Sequence, residues 1–290
     1  MEILIISKDE IINILFKKKY KKILPELKIE FSNLDNNIDQ LNNLIKKYKL
    51  IIADLDHETD KIIEIYQQHK ENKEFLFITD REYENFIDYL MEDKINNIYP
   101  KGLILEDYKT SALLITNIYK NKIFGIKNYI KNPVYFETIP IHYSAEIKKL
   151  SLKIEFLFSN IPKEKILQIK LAFYEIVSNV FYHSNELQKG KESYISEPIY
   201  ITFAEDLEKI IFCVEDRKGK LTKSTVLYWL EKRLKNDKIL PDGHGRGFLL
   251  MKNIVDSLII NIISGKKTEF IAIFYKYNYL GEKSLLIHQK

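Results

Sequence analysis

The chain has 290 residues and a mass of 34.5 kDa, room for two domains that can each bury a core. Its 46% hydrophobic and 30% charged residues exclude a disordered chain, and a formal charge of only +4 gives no support to nucleic-acid binding. A single cysteine, Cys213, excludes an intrachain disulfide and a cysteine-based zinc site, and points to a reducing, cytoplasmic setting.

The opening run Met1-Glu-Ile-Leu-Ile-Ile-Ser7 lacks the basic start and the length of a signal peptide, and reads as a first buried strand. No stretch approaches the roughly 18–20 apolar residues that would span a bilayer. Over the first 120 residues short apolar runs at 3–7, 28–31, 50–54, 75–79 and 97–99 alternate with amphipathic stretches at 9–22, 38–47 and 81–92. Strands separated by helices predict a doubly wound parallel sheet covered on both faces. A further helix is expected around 106–123. The Gly/Pro-containing stretch that follows, with Phe124-Gly125 and Asn132-Pro133, marks the domain boundary. The expected organisation is therefore a domain at 1–118, a linker at 119–140 and a second domain at 141–280.

In the second domain, helices are expected at 146–158 and from Pro162 to about Tyr182, with the proline suited to a helix start. A polar loop at 184–197 precedes strands at 199–204 and 209–215. A helix at 221–235, a loop at 236–247, a helix from 248 and strands at 257–264 and 269–277 complete the pattern. No repeat or low-complexity tract is present.

Three features of this second half carry chemistry. In Leu171-Ala-Phe-Tyr-Glu-Ile-Val-Ser-Asn-Val-Phe-Tyr-His183, Glu175 and Asn179 lie four residues apart, just over one helical turn, so both project from one helix face. The same line would also serve as the solvated stripe of an amphipathic helix. In Phe212-Cys-Val-Glu-Asp-Arg-Lys-Gly219 a strand ends in Asp216, whose carboxylate could accept a hydrogen bond from an exocyclic amine; ordinary turn chemistry would use it equally well. Gly243-His-Gly-Arg-Gly247 puts three alternate glycines before a helix N-terminus, an arrangement suited to phosphate. It is neither a P-loop nor a dinucleotide fingerprint.

Together and in this order these features resemble the histidine-kinase-like ATPase superfamily, most closely the stand-alone anti-sigma-factor type of serine/threonine kinase. The resemblance implies a two-layer α/β sandwich of the Bergerat type, a mixed sheet with helices on one face. It implies ATP and Mg2+ as cofactors. It also implies Glu175 as catalytic base, Asn179 as magnesium ligand, Asp216 as reader of the adenine amino group, and Gly243, Gly245 and Gly247 as the loop closing on the phosphates. Thr268 matches the threonine that assists at adenine, and Gly219 the turn glycine after Asp216. The family's Asp-x-Gly-x-Gly is here Asp216-Arg-Lys-Gly219-Lys, with Lys218 and Lys220 at glycine positions. No His-Asp/Glu-x-x-Pro dimerisation helix precedes the domain, which argues against an orthodox sensor kinase.

Residues 1–118 resemble response-regulator receivers. Asp54, ending the third strand, matches the phosphoacceptor; Thr79 matches the switch hydroxyl; Lys101 lies near the family's lysine, with the usual Lys-Pro order reversed. Receivers carry two adjacent acids after strand one to hold magnesium. This chain has Ser7 and Lys8 there, with Asp9 and Glu10 one step late. It reads as a pseudo-receiver working by contact, in which Lys8 would neutralise Asp54, unless an off-register bulge brings Asp9 into place. The implied protein is a cytoplasmic partner-switch signalling protein that leans toward an ATP-dependent protein serine/threonine kinase. Its partner would be an anti-sigma antagonist or other signalling protein, with no nucleic acid and no membrane, and a homodimer stays open. The alternative is a non-catalytic adaptor in which nucleotide sets partner choice.

Overall fold

The computed structural model describes residues 1–33, 37–188, 191–235, 246–277 and 283–290. It divides into two compact units, Met1–Ile123 and Phe124–Lys290.

The first unit holds strands β1 (Glu2–Ile6), β2 (Lys28–Ser32), β3 (Leu50–Asp54), β4 (Glu74–Thr79) and β5 (Ile98–Pro100), all parallel, in the order β2-β1-β3-β4-β5. This is the doubly wound order of receivers and flavodoxins, which gathers ligand-facing residues at the carboxyl ends of the strands. β3 is buried at every residue, as a strand covered on both faces must be. Between the strands run α1 (Glu10–Leu15), a π-helical stretch Phe16–Tyr20 continued by α2 (Lys21–Ile23), α3 (Ile38–Ile45), α4 (Thr59–His69), α5 (Ile87–Met91), α6 (Lys101–Glu106) and α7 (Tyr108–Tyr119). Side chains start three of these: Asp9 caps α1, Asn37 caps α3 and Asp107 caps α7, each accepting otherwise orphaned backbone N–H groups. The single helix expected at 81–92 is instead a 3-10 turn, Tyr83–Phe86, followed by the short α5.

The second unit is a six-stranded mixed sheet in the order β11-β9-β10-β8-β7-β6. Its strands are β6 (Tyr135–Tyr143), β7 (Tyr194–Glu205), β8 (Lys209–Asp216), β9 (Ser257–Ile263), β10 (Lys267–Tyr275) and β11 (Ser284–Gln289). All neighbours are antiparallel except β9 and β11, which run parallel. The helices are α8 (Ser144–Leu157), α9 (Lys163–Ser184), α10 (Lys223–Lys235) and α11 (Arg246–Ile254). α9 packs on the sheet through Phe173, whose ring meets Phe203 of β7 and Phe212 of β8 at 5.5 and 5.6 Å. Burial of each such side chain contributes about 1.5–3 kcal/mol. α11 meets the same face through Phe248 against Phe270 of β10.

Three strand assignments differ from the sequence expectation. β6 begins inside the stretch read as linker, β7 starts five residues before the expected 199, and β11 was not expected at all. β6 is an edge strand with Pro140 inside it, tolerated because an edge strand can spare a donor. The signal for β11 was the run Leu285-Leu286-Ile287, all buried against β9.

β11 also carries a titration. Burial, with Lys223 and Lys290 nearby, lowers His288 to about 3. The folded state thus keeps the ring neutral, while an unfolded chain takes up a proton below its ordinary pKa of 6.5. Stability from this group is full above that value and falls progressively as pH drops toward 3, by on the order of 5 kcal/mol in total. His288→Gln should therefore flatten the acid limb of a denaturant-midpoint profile by one proton's worth of slope. An unchanged slope would show that the ring is protonated or solvated in the fold.

Candidate functional site

α9, β8 and α11 converge on one cavity of about 340 Å³, lined by Asn179 and His183 of α9, Asp216, Lys220 and Leu221 at the end of β8, Thr225 and Trp229 of α10, Gly247 and Phe248 of α11, and Phe270 of β10. Its walls are largely apolar, with a few polar side chains among them: Asn179, His183, Ser184, Asp216, Lys220 and Thr225. Gly247 is the close-approach glycine. A Cβ there would stand 2.9 Å from Asn179 Nδ2 and 3.0 Å from Glu175 Oε2, so the first turn of α11 lies directly against the Glu175/Asn179 face of α9. The four-residue spacing thus does present both side chains together. Gly243 and Gly245 lie outside the described residues.

Asp216 is buried, and its Oδ1 accepts the backbone N–H groups of Lys218 at 2.8 Å and Gly219 at 3.0 Å. Among the described residues nothing bonds its Oδ2. Gly219 follows with φ of +58, and a Cβ there would meet backbone atoms of Ile263, Lys266 and Lys267 at 2.5 Å, so only glycine fits. Thr268 of β10 is in register with Asp216. It is not part of the cavity wall but sits fully buried, its Oγ1 without a hydrogen-bond partner among the described residues. Buried hydroxyls normally find partners, so this orphan on the strand paired with Asp216 is an exception.

The two lysines at glycine positions do not point their charge into empty space. Lys218 Nζ donates to Asn185 Oδ1 at 2.5 Å, and Lys220 Nζ pairs with Glu186 at 2.5 Å, tying the turn after β8 to the end of α9. Trp229 lines the cavity together with Thr225, four residues earlier on the same side of α10.

In the first unit the carboxyl ends of the strands form an acid cluster around one ammonium. Lys101 Nζ lies 3.0 Å from Asp54, 2.5 Å from Asp56, 3.5 Å from Asp80 and 3.9 Å from Asp9, with its side chain only 3% exposed. Asp54 is fully committed. Ser7 Oγ donates to its Oδ2 at 2.7 Å, while Lys101 and the backbone N–H of Asp56 reach its Oδ1. Thr79 Oγ1 donates to Asp56 at 2.5 Å, not to Asp54. Arg81 adds a second cation, 3.5 Å from Asp56, while donating to Leu55 O and Thr59. Burial alone would raise the Asp56 carboxyl and lower the Lys101 ammonium. Their mutual hydrogen bond, with Thr79 and Asp54, prevails and moves Asp56 down and Lys101 up.

The expectation that Lys8 neutralises Asp54 is corrected: Lys8 Nζ pairs with Glu58 at 2.5 Å, and Lys101 is the cation beside Asp54. Asp9 is divided, one oxygen capping α1 and the other turned toward Lys101. Asp56 was missed, although the Asp-x-Asp pattern at 54 and 56 was there to find. Among the described residues no group of three or more His, Cys, Asp or Glu could hold a metal ion.

No family model and no curated protein matches the sequence. Among solved structures, the Salmonella typhimurium RcsB response regulator is 15% identical with a TM-score of 0.34, covering 44% of this chain and 64% of that one. This chain therefore spans less than two thirds of the RcsB chain. A GCN5-related glucosamine N-acetyltransferase region of a fungal multi-domain beta-N-acetylglucosaminidase is 13% identical (TM-score 0.28, 86% and 28% covered). CapF is 12% identical (TM-score 0.26, 76% and 74% covered). Likenesses this distant carry no argument about function; the receiver-like character of the first unit rests on its strand order. Among the described residues no helix is long and apolar enough to cross a membrane.

Proposed function

We propose that the second unit is a Bergerat-type site that binds ATP with magnesium and transfers phosphate to a serine or threonine of a partner protein, and that the first unit is a pseudo-receiver acting by contact. The observation that carries this reading is the meeting of Asn179, Asp216 and Gly247 on one cavity, with Glu175 directly behind Gly247. The donor set fits the ligand. Asp216 Oδ2 offers an acceptor for the polar edge of adenine, and Trp229, Phe248 and Phe270 offer apolar surface for its faces. Magnesium usually keeps waters and phosphate oxygens and needs only one or two protein ligands, so the Asn179 carboxamide suffices without an acidic cage.

Mg-ATP, when bound, supplies the phosphoryl group and neutralises its developing charge. The chain's own residues orient and deprotonate. Asn179 fixes the position of the phosphate end, Asp216 fixes the base, and Glu175 accepts the proton of the incoming hydroxyl. Gly247, free of a side chain, lets the first turn of α11 close against both α9 groups. The second reading, a nucleotide-dependent adaptor without transfer, is favoured by the lysines that tie the turn after β8 to the end of α9.

Trp229 is the only tryptophan in the chain and lines the cavity, so it reports occupancy directly. Titration with Mg-ATP should change its emission saturably. Glu175→Gln should bind with near wild-type affinity while losing transfer by at least about 100-fold. A wild type that binds but never transfers leaves the adaptor; flat fluorescence, with no heat of binding by calorimetry, ends the nucleotide reading.

A further inference from the structure

Directly behind the candidate nucleotide pocket, on the opposite face of the sheet, lies a second set of charged groups. Because side chains alternate along strands, the neighbours of Thr268 and Asp216 face the other way. Glu269 and Glu215 are in register with each other, one step from the Thr268–Asp216 pair. Lys267 bridges them, 2.9 Å from Glu269 and 2.7 Å from Glu215. Glu269 is 1% exposed, and what covers it is the chain that has just left the first unit. Its Oε2 accepts the backbone N–H of Gly125 at 2.9 Å and the amide of Asn261 at 3.3 Å, while the Lys267 ammonium lies 5.7 Å from the centre of the Phe124 ring. Gly125 takes φ of +90 to present that N–H, and Tyr129 is buried in the same segment.

A fully buried carboxylate is costly unless hydrogen-bonded and paired, and here its compensation comes partly from the incoming segment. We propose that Glu269, Lys267 and Glu215 form a positioning clamp that couples the docking of residues 124–130 to the geometry of Asp216 and Thr268, and so to adenine binding. If the segment lifts, Glu269 loses a backbone donor, Lys267 redistributes between its two carboxylates, and the ends of β8 and β10 adjust at the Asp216–Thr268 step. The inference rests on the nucleotide reading above and adds a route by which the polypeptide leaving the first unit can set affinity.

Coupling is reciprocal, and this gives the test. On the full chain, hydrogen exchange is followed with and without saturating Mg-ATP, and affinity is read by Trp229 fluorescence. Mg-ATP should slow exchange over residues 124–130 by at least about fivefold, the lower end of ordinary coupling. Glu269→Gln, isosteric but unable to pair with Lys267, should weaken Mg-ATP by a similar factor. Protection over α9 with none over 124–130, or unchanged affinity in a folded Glu269→Gln, overturns the clamp and leaves the nucleotide site standing. No protection anywhere removes both. Should Glu269→Gln fail to fold, exchange in the wild type alone decides.

Discussion

Asp216→Asn should reduce affinity for ATP about 100-fold while leaving the fold intact. The substitution is chosen for what it preserves. Oδ1 already accepts two backbone N–H groups from Lys218 and Gly219, and an asparagine carbonyl oxygen continues to do so. Only the outward atom changes, from an unpaired carboxylate oxygen to an amide donor. In the proposed pose that atom faces the exocyclic amine of adenine, itself a donor. The loss is one charge-assisted hydrogen bond plus two desolvated donors facing each other, together about 3 kcal/mol. At 25 °C that is about 100-fold in Kd. Guanine carries an oxygen at the same ring position, so the variant should lose most of its preference for ATP over GTP, which a general loss of folding would not produce. Trp229 fluorescence or calorimetry with both nucleotides reads the result. An Asp216→Asn protein that binds ATP like the wild type would remove Asp216 from any role in base recognition.

How far the sequence alone could reach differs between the two units for physical reasons. β1, β3 and β4 are covered on both faces, so they read as unbroken apolar runs such as Leu50-Ile-Ile-Ala, and their position follows directly. β6 alternates intermediate and exposed residues over most of its length and contains Pro140, so nothing in its composition separates it from a linker. On α9 the apolar spacing of Ile166, Ile169, Phe173, Val177 and Val180 fixed the helix, and with it the shared face of Glu175 and Asn179. Gly247 could be aligned with that face only through a resemblance, because a glycine has no side chain to declare which surface it approaches. The cation partner of Asp54 was assigned wrongly for a related reason. Lys8 is close in register to the acids it replaces, whereas Lys101 arrives from the end of another strand, and its reach depends on how three turns fold. Local period and turn chemistry are written in a segment; convergence of several loop ends is not.

That convergence predicts the second large effect: Lys101→Met should lower the stability of the first unit by about 3–5 kcal/mol. The methionine nearly matches the aliphatic stem, so the change removes the ammonium and little packing. What remains is Asp54, 1% exposed, and Asp56, 15% exposed by side chain, with Asp9 and Asp80 nearby and, among the described residues, Arg81 as the cation left beside Asp56. Removing one member of a buried charged group costs more than the pair was worth, because the survivors keep their desolvation without their partner. For a unit of this size the thermal transition should fall by about 10–20 °C in a calorimetric scan. The pH dependence has a definite sign. Asp56 is held below the ordinary carboxylate range in the wild type, so its contribution is complete above that range and is lost as pH falls through the lowered value. In the variant Asp56 loses the Lys101 hydrogen bond and charge that hold it down, and so protonates more easily. The gap between the two proteins should thus be widest near neutrality and narrow as the solution is acidified below about pH 4. A constant gap across that window would mean that Lys101 stabilises the unit through its packing and not through its charge. An unchanged transition at pH 7 would mean that the acid cluster is hydrated and that Asp54 is open to a cation, which would return the first unit to the class of receivers that can accept phosphate.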